Sequence, residues 1–356
     1  GGLYNVCPIW LGYSERLLYI KEDMTMKKSN VSKLMAVALA GMMMATGCST
    51  DGSKSSEATT GEKIFNIGIS QLAEHPALDD ARRGFEDGLK EQGVNADISY
   101  QNAQGEIPNS LSIAQKFVKD EVDLIYAIAT SAAQSGKQAT SDIPIIFSAV
   151  TDPIDSGLVD SIDAPGGNIT GTSDASPMDR QLQLFKDLDS NIKKIGIVFN
   201  TSEPNSQTQV ETSKKLAASM GLEIVDVGIT TTNDIPQAVD SIISKVDAIY
   251  TITDNMVASA INVVAQKSLE NNMITVGAED SHLNGGILIT DGISYYELGK
   301  QSARMAKEIL VDGKSPAEIP VETALNTSKV FNEETLKELN LDINNKAFDG
   351  AVKFEK

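Results

Sequence analysis

The stretch Val122-Asp-Leu-Ile-Tyr-Ala-Ile-Ala-Thr-Ser131 returns 124 residues later as Val246-Asp-Ala-Ile-Tyr-Thr-Ile-Thr-Asp-Asn255. In both copies an apolar run rich in β-branched residues, with Tyr126 or Tyr250 inside it, stops at two small polar side chains. A helix-like segment follows, Ala132 to Thr140 in one copy and Met256 to Asn272 in the other. Apolar runs of this length read as parallel strands buried on both faces. The polar pair then falls between a strand's carboxyl end and a helix's amino end, where open α/β sheets bind ligands. A second echo sets Phe65-Asn-Ile-Gly-Ile-Ser70 beside Lys194-Ile-Gly-Ile-Val198, with Gly68 and Gly196 offset by 128. Two similar α/β lobes facing each other across a cleft are expected.

The pattern around these repeats alternates strand and helix with short connections, as βαβ units do. Strands are expected at Ile64 to Gln71, Ala96 to Gln101, Val122 to Thr130 and Ile143 to Val150, with helices at Ala77 to Gly93, Ser110 to Lys119 and Ser131 to Thr140. The first lobe should bury Ile67, Ile69, Leu124, Ile125, Ile128, Ile145, Ile146 and Phe147. Irregular, Gly- and Pro-rich text from Thr151 to Asp174 marks the exit from that lobe. Lobe two follows with helices at Met178 to Leu188, Ser206 to Met220 and Ile235 to Lys245, and strands at Lys194 to Asn200, Glu223 to Ile229 and Ile274 to Ala278. Gly285-Gly286 and Ile287 to Asp291 read as a return crossing into lobe one, where Tyr295 to Leu310 forms an amphipathic helix. From Ile319 the chain crosses again, with a strand over Val321 to Val330 and a helix over Glu333 to Leu339. Lobe one is thus expected to comprise residues 63–174 and 285–318, and lobe two residues 175–284 and 319–356. Three crossings form a hinge suited to rigid-body opening.

The start of the chain carries a different message. Residues 1–25 show no sustained pattern and are expected to be upstream sequence outside the natural protein. From Met26, a basic start (Lys27, Lys28, Lys33), an apolar run from Leu34 to Ala45 and then Ala45-Thr-Gly-Cys48 read as a signal peptide over 26–47, too short to span a bilayer. Its end resembles a bacterial lipobox, which implies a lipid on Cys48 after cleavage at Gly47; Ala45 stands where the pattern usually has Leu. A plain signal peptide cut at a nearby small residue is the alternative. Cys7 is the only other Cys, so no disulfide is expected in the mature chain. Residues 48–62 have no apolar face and read as a flexible tether.

The chain carries 30 basic and 49 acidic residues; removing 1–47 takes away five and three, leaving 25 against 46, a net of −21. That surface repels nucleic acid and argues against lying flat on an anionic bilayer. Two His, far apart at 75 and 282, no Cys cluster, no Gly-x-Ser-x-Gly elbow and no phosphate-binding Gly-x-x-x-x-Gly-Lys leave catalysis without a candidate set, and no metal or cofactor is expected.

Four strings carry a family resemblance: Gln71-Leu-Ala-Glu-His-Pro-Ala-Leu-Asp79, Ser148-Ala-Val-Thr-Asp-Pro153, Gly171-Thr-Ser-Asp174 with Gln181-Leu182, and Tyr295-Tyr-Glu-Leu-Gly299. In order and spacing, over residues 63–340, they are similar to the substrate-binding lipoproteins of ABC importers of the tryptophan/tyrosine type. The resemblance implies a type I periplasmic binding protein fold: two Rossmann-like α/β lobes with parallel sheets, joined by a three-strand hinge. It also implies a monomer that captures a small ligand and delivers it to permease subunits with their ATPase. The protein would be held outside the cell membrane by its lipid.

If the ligand is an aromatic amino acid, the pocket must meet a carboxylate, an ammonium and a flat apolar side chain. Thr130 and Ser131 suit the carboxylate, with hydroxyls and the free N–H groups of a helix start; simple N-capping is their plain alternative. Asp254 and Asn255 are the counterparts in lobe two, for an ammonium or again as caps. Asp174, just before the first crossing, is a further ammonium candidate or else a solvated loop carboxylate. Gln71 and His75 follow the first strand, and Asn205 and Ser206 occupy the matching place in lobe two. Tyr295, or Tyr296 beside it, offers an aromatic wall or a packed hinge residue, and Thr151 ends another strand. Other small amino acids, peptides and nucleosides stay open as ligands; sugars are disfavoured because the single Trp is Trp10. Two other roles stay open: a ligand-sensing subunit for a signalling receptor, and a secreted enzyme on a flavodoxin-like scaffold.

Overall fold

The computed structural model describes residues 63–355. The expected leader, signal peptide, lipidated Cys48 and tether lie outside the described residues.

Five parallel strands build the first lobe in the order β2-β1-β3-β4-β5. They are β1 (Phe65–Gln71), β2 (Ala96–Asn102), β3 (Leu124–Ile128), β4 (Ile145–Val150) and β5 (Ile169–Ser173). Helices α1 (Pro76–Glu91), α2 (Ile107–Lys119) and α3 (Thr130–Ala139) connect them. The eight residues expected in this core, from Ile67 to Phe147, are all buried. Because β3, β4 and β5 are buried along their whole length, apolar clusters form on both faces of the sheet.

The second lobe holds α4 (Met178–Leu188), β6 (Lys194–Asn200), α5 (Pro204–Ser219), β7 (Glu223–Ile229), α6 (Ile235–Ile243), β8 (Ala248–Thr251), α7 (Asn255–Ser259), α8 (Ile261–Glu270) and β9 (Ile274–Gly277). It is completed by β10 (Ile289–Gly292), while α9 (Tyr295–Leu310) packs back on lobe one beside α1. The chain then returns to add β11 (Ser328–Phe331), α10 (Glu333–Glu338) and β12 (Val352–Lys353), giving a sheet ordered β12-β11-β10-β9-β8-β6-β7. Only β11 runs antiparallel to a neighbour, β10.

The repeat that opened the sequence does the same structural task twice. Asp123 Oδ2 accepts the N–H of Asn66, at the start of β1, at 2.7 Å. Asp247 Oδ2 accepts the N–H groups of Lys193 and Lys194, at the start of β6, both at 2.8 Å. The two tyrosines are fully buried and each reaches a polar partner, Tyr126 donating to Ser148 Oγ at 2.8 Å and Tyr250 to Gln181 Oε1.

Three differences from the sequence pattern stand out. The second crossing lies at Ile293–Ser294, not at 285, because Ile289 and Thr290 pair with β9 and β10 also pairs with β11. Ile289–Gly292 therefore belong to the sheet of lobe two. The expected strand from Val321 to Val330 is reduced to a single parallel bridge, Thr172 to Glu322, followed by β11. The long helix expected over Met256 to Asn272 is broken at Ala260, whose φ of −129° and ψ of 29° leave the helical region. Among the described residues no helix is long and apolar enough to cross a membrane.

Candidate functional site

Polar residues following the strands' carboxyl ends meet between the lobes. A small cavity at the floor of the cleft is lined by His75, Leu78, Ala149, Asp174 and Tyr295 from lobe one and the crossings, and by Asn205, Thr253, Asp254, Asn255, Ala258 and Glu279 from lobe two. Six of the eleven expected site residues are thus brought together: His75, Asp174, Asn205, Asp254, Asn255 and Tyr295. A larger cleft of about 570 Å³ opens beside it, flanked by Leu72, Glu74, Asn102 and Gln104 on one side and Glu203, Thr231, Asn255 and Met256 on the other. Thr130 lines an adjoining crevice with Asp152, Asp155, Pro204, Asn205 and Thr208.

Direct bonds cross the cleft at three places. His75 Nε2 lies 3.1 Å from Asn255 Oδ1, Thr208 Oγ1 donates to Asp155 Oδ2 at 2.9 Å, and Gln209 Nε2 reaches Thr151 Oγ1 at 3.5 Å. The lobes are therefore in contact.

The candidates divide by what their polar atoms already do. Asp254 is a working cap: Oδ1 accepts the Val257 N–H at 2.8 Å, and Oδ2 accepts the Asn200 N–H at 2.6 Å and Ser206 Oγ at 2.7 Å. Both its oxygens are occupied from within lobe two, and Ser206 is spent on it. Asn205 Nδ2 is turned to the Thr253 carbonyl at 3.1 Å. Gln71 is fully buried and braces the loop after β1 through Nε2, which donates to the Ala73 carbonyl at 2.7 Å and to Asp79 at 2.8 Å, while its Oε1 has no protein partner. Thr151 contributes its carbonyl to Ser173 and its hydroxyl to Gln209.

Others hold buried polar atoms with no protein partner: Asp174 Oδ1, His75 Nδ1, Thr130 Oγ1 and Ser131 Oγ. A buried polar group left unpaired costs about 1–3 kcal/mol, and two of these atoms, Asp174 Oδ1 and His75 Nδ1, belong to residues lining the same cavity. Tyr295 takes up only the other oxygen of Asp174, donating to Oδ2 at 2.6 Å. Backbone strain gathers here as well. Ala129 (φ 88°), just before α3, and Ala149 (φ 58°), in the cavity wall at an irregular step between β4 and β5, adopt conformations that L-residues rarely take.

The floor is rich in carboxylates. Burial pushes Asp174 up to about 6, against the hydrogen bond from Tyr295, which acts the other way. Burial, and next the charge of Glu203, pushes Asp254 up to about 7. Asp280, next in the chain to Glu279 but not itself lining the cavity, is likewise raised to about 7 by burial and then by Glu279. For Glu279 burial is the largest single influence and acts upward, but His282 at 3.0 Å, His75 and Ser281 together hold it below its ordinary value. Burial, above all, lowers His75. Such a floor suits a positive charge. Among the described residues no group of His, Cys, Asp and Glu is arranged to hold a metal ion.

Sequence reasoning missed Glu203 and Glu279. Glu203 is buried and takes hydrogen bonds from Asn200 Nδ2 (3.1 Å), the N–H groups of Asn255 and Met256 (both 3.2 Å) and Asn255 Nδ2 (2.6 Å). Glu279 stands two residues past β9, the same kind of strand-end position that drew notice to Asp254, and that signal was available.

This geometry has known counterparts. The family model described as ABC transporter substrate binding protein matches residues 66–354. A tyrosine-binding protein of Clostridioides difficile (strain R20291) is 43% identical over 323 residues, 88% of this chain and 93% of the relative. Among solved structures, an ABC domain in complex with L-Trp from Streptococcus pneumonia is 34% identical with a TM-score of 0.77, over 81% of this chain and 99% of that one. A ligand-free, open substrate-binding protein with adhesive properties from Clostridium difficile is 42% identical with a TM-score of 0.63, over 82% and 100%. Two α/β lobes joined by three crossings, with unpaired polar groups gathered where they meet, are the type I periplasmic binding fold, and the chain belongs to the family of ABC transporter substrate-binding proteins.

Proposed function

We propose that the protein captures an aromatic amino acid of the tyrosine or tryptophan kind between its lobes and hands it to the permease of an ABC importer. The observation that carries this reading is the pair of buried, unpaired polar atoms on residues of one cavity, Asp174 Oδ1 and His75 Nδ1, in an acidic floor. The unpaired carboxylate oxygen of Asp174 suits an ammonium. The unpaired hydroxyls of Thr130 and Ser131, at the amino end of the ten-residue helix α3, suit a carboxylate. A zwitterion spanning the two satisfies groups that the protein alone leaves unpaired.

The relatives support an aromatic side chain. The one named tyrosine-binding protein shares 43% of aligned residues, and the L-Trp complex shares 34%. The structure also resembles that complex more closely (TM-score 0.77) than the open, ligand-free relative (0.63), although the open one is nearer in sequence. This difference, with the three bonds across the cleft, supports a closed form as the liganded one. Closure then follows from contacts a ligand makes only when both lobes reach it. Attachment to the outer face of the cell membrane through a lipid on Cys48 completes the proposal.

The test is a thermal-shift screen of the protein with the twenty amino acids, nucleosides and sugars. Tyrosine or tryptophan at 100 times its dissociation constant should stabilise the fold by about 2.7 kcal/mol. A shift with another class and none with aromatic amino acids removes the substrate assignment.

A further inference from the structure

Asn255 cannot present either end of its amide at will. Its Nδ2 donates to Glu203 Oε2 at 2.6 Å, and its backbone N–H approaches the same oxygen at 3.2 Å. Glu203 is itself fixed, its other oxygen taking Asn200 Nδ2 at 3.1 Å and the Met256 N–H at 3.2 Å. Each Glu203 oxygen already accepts a backbone N–H and so acts as an acceptor, which turns the NH₂ end of Asn255 toward Glu203 and its carbonyl oxygen away. That oxygen lies 3.1 Å from His75 Nε2, across the cleft. It too can only accept, so Nε2 carries the hydrogen. In a neutral imidazole the second nitrogen is then a bare acceptor. His75 Nδ1 is that nitrogen, buried and without a protein donor, and its ring lines the cavity that Asp174 also lines.

We infer that Glu203 and Asn255 of lobe two set the tautomer of His75 in lobe one, so that closure presents Nδ1 to the ligand as an acceptor for an ammonium N–H. One hydrogen of the ammonium goes to His75 Nδ1 and another to Asp174 Oδ1. Glu203 and Asn255 are positioning residues in this arrangement, acting through His75. Burial supports it by keeping the imidazole neutral. The inference rests on the amino-acid reading above and adds the means by which the amine is recognised: the acceptor exists in the required form only when both lobes contribute.

The chain has two histidines, so their ring nitrogens can be assigned by ¹⁵N NMR on histidine-labelled protein. In the wild-type tyrosine complex at neutral pH, His75 is expected to carry its hydrogen on Nε2, with Nδ1 showing the signature of a hydrogen-bonded acceptor. Asn255→Leu should release the ring to a mixture of tautomers and weaken tyrosine binding about tenfold or more, the scale of one buried hydrogen bond to a charged group. Binding of the amine-free analogue 3-(4-hydroxyphenyl)propionate should change little in the same variant. An Nδ1-protonated or doubly protonated His75 in the wild-type complex overturns the inference and leaves amino-acid capture standing. So does an Asn255→Leu protein that binds tyrosine as tightly as the wild type. If the wild type binds no amino acid, both ideas fall together.

Discussion

At the scale of single residues, Asp174 and Asp254 look alike in sequence and separate once their partners are counted. Asp174 keeps one oxygen unpaired and is raised to about 6 by burial. A raised carboxyl holds its proton more tightly in the closed protein than in the unfolded chain, so the ligand-free form loses stability as pH climbs from about 4 through 6. An ammonium ligand has the opposite preference, since it needs the ionised form. Tyrosine affinity should therefore weaken as pH falls through 6, approaching roughly tenfold per pH unit below the midpoint, which calorimetric titrations between pH 7.5 and 5 would measure. Asp174→Asn should flatten that profile and reduce affinity at pH 7.5 by about 2–5 kcal/mol, the cost of truncating a buried charge pair. Asp254→Ala is expected to act on the fold instead. It orphans three donors around α7, a loss of about 3 kcal/mol in urea unfolding, with a smaller effect on affinity than Asp174→Asn. The sequence made Asp174, His75 and Thr130 visible because each sits beside a strand end or crossing. It could not reveal Glu203, whose donors Asn255 and Met256 lie more than fifty residues away, nor choose between cap and ligand for Asp254, because both roles favour the same residue type.

Helix α9 shows what periodicity conveys and what it conceals. Its limits, Tyr295 to Leu310, follow the expected span, since Ser294 caps it and Leu298, Met305 and Ile309 share a buried face. Its partner α1 was not apparent from pattern alone, yet the two helices approach so closely that side chains are excluded. A Cβ on Gly299 would lie 2.1 Å from the Ala81 carbonyl oxygen, and one on Gly84 2.0 Å from that of Tyr296. In an exposed helix, Gly to Ala would gain up to about 1 kcal/mol; here overpacking reverses the sign. Gly299→Ala should destabilise lobe one by about 1–3 kcal/mol in chemical denaturation, and Gly84→Ala by a similar amount. The break at Ala260 was hidden for a complementary reason. No Gly or Pro interrupts the helical text from Met256 to Asn272. The short α7 is held by Asp254 and Glu203, while Ile261, Val264 and Ala265 of α8 turn into the core.

For the molecule as a whole, the duplicated strand-to-helix text foretold two lobes, because each copy carries its own means of fixing a neighbouring strand, Asp123 in one and Asp247 in the other. The position of the second crossing was less legible: Ile287 to Asp291 reads equally well as a linker or as the sheet strand it becomes. Few direct bonds cross the cleft, so the balance between open and closed forms is expected to follow the ligand. Small-angle scattering should record a lower radius of gyration with tyrosine present, and an unchanged value would contradict closure on binding. Arg180, just past the first crossing, reaches Asp291 at 2.9 Å, next to the second, and Thr327 at 2.6 Å, next to the third. One guanidinium thus clasps all three connecting strings where they enter lobe two. Any swing of one half against the other must then bend the strings on the far side of that clasp, as a door turns about pins fastened to a single jamb.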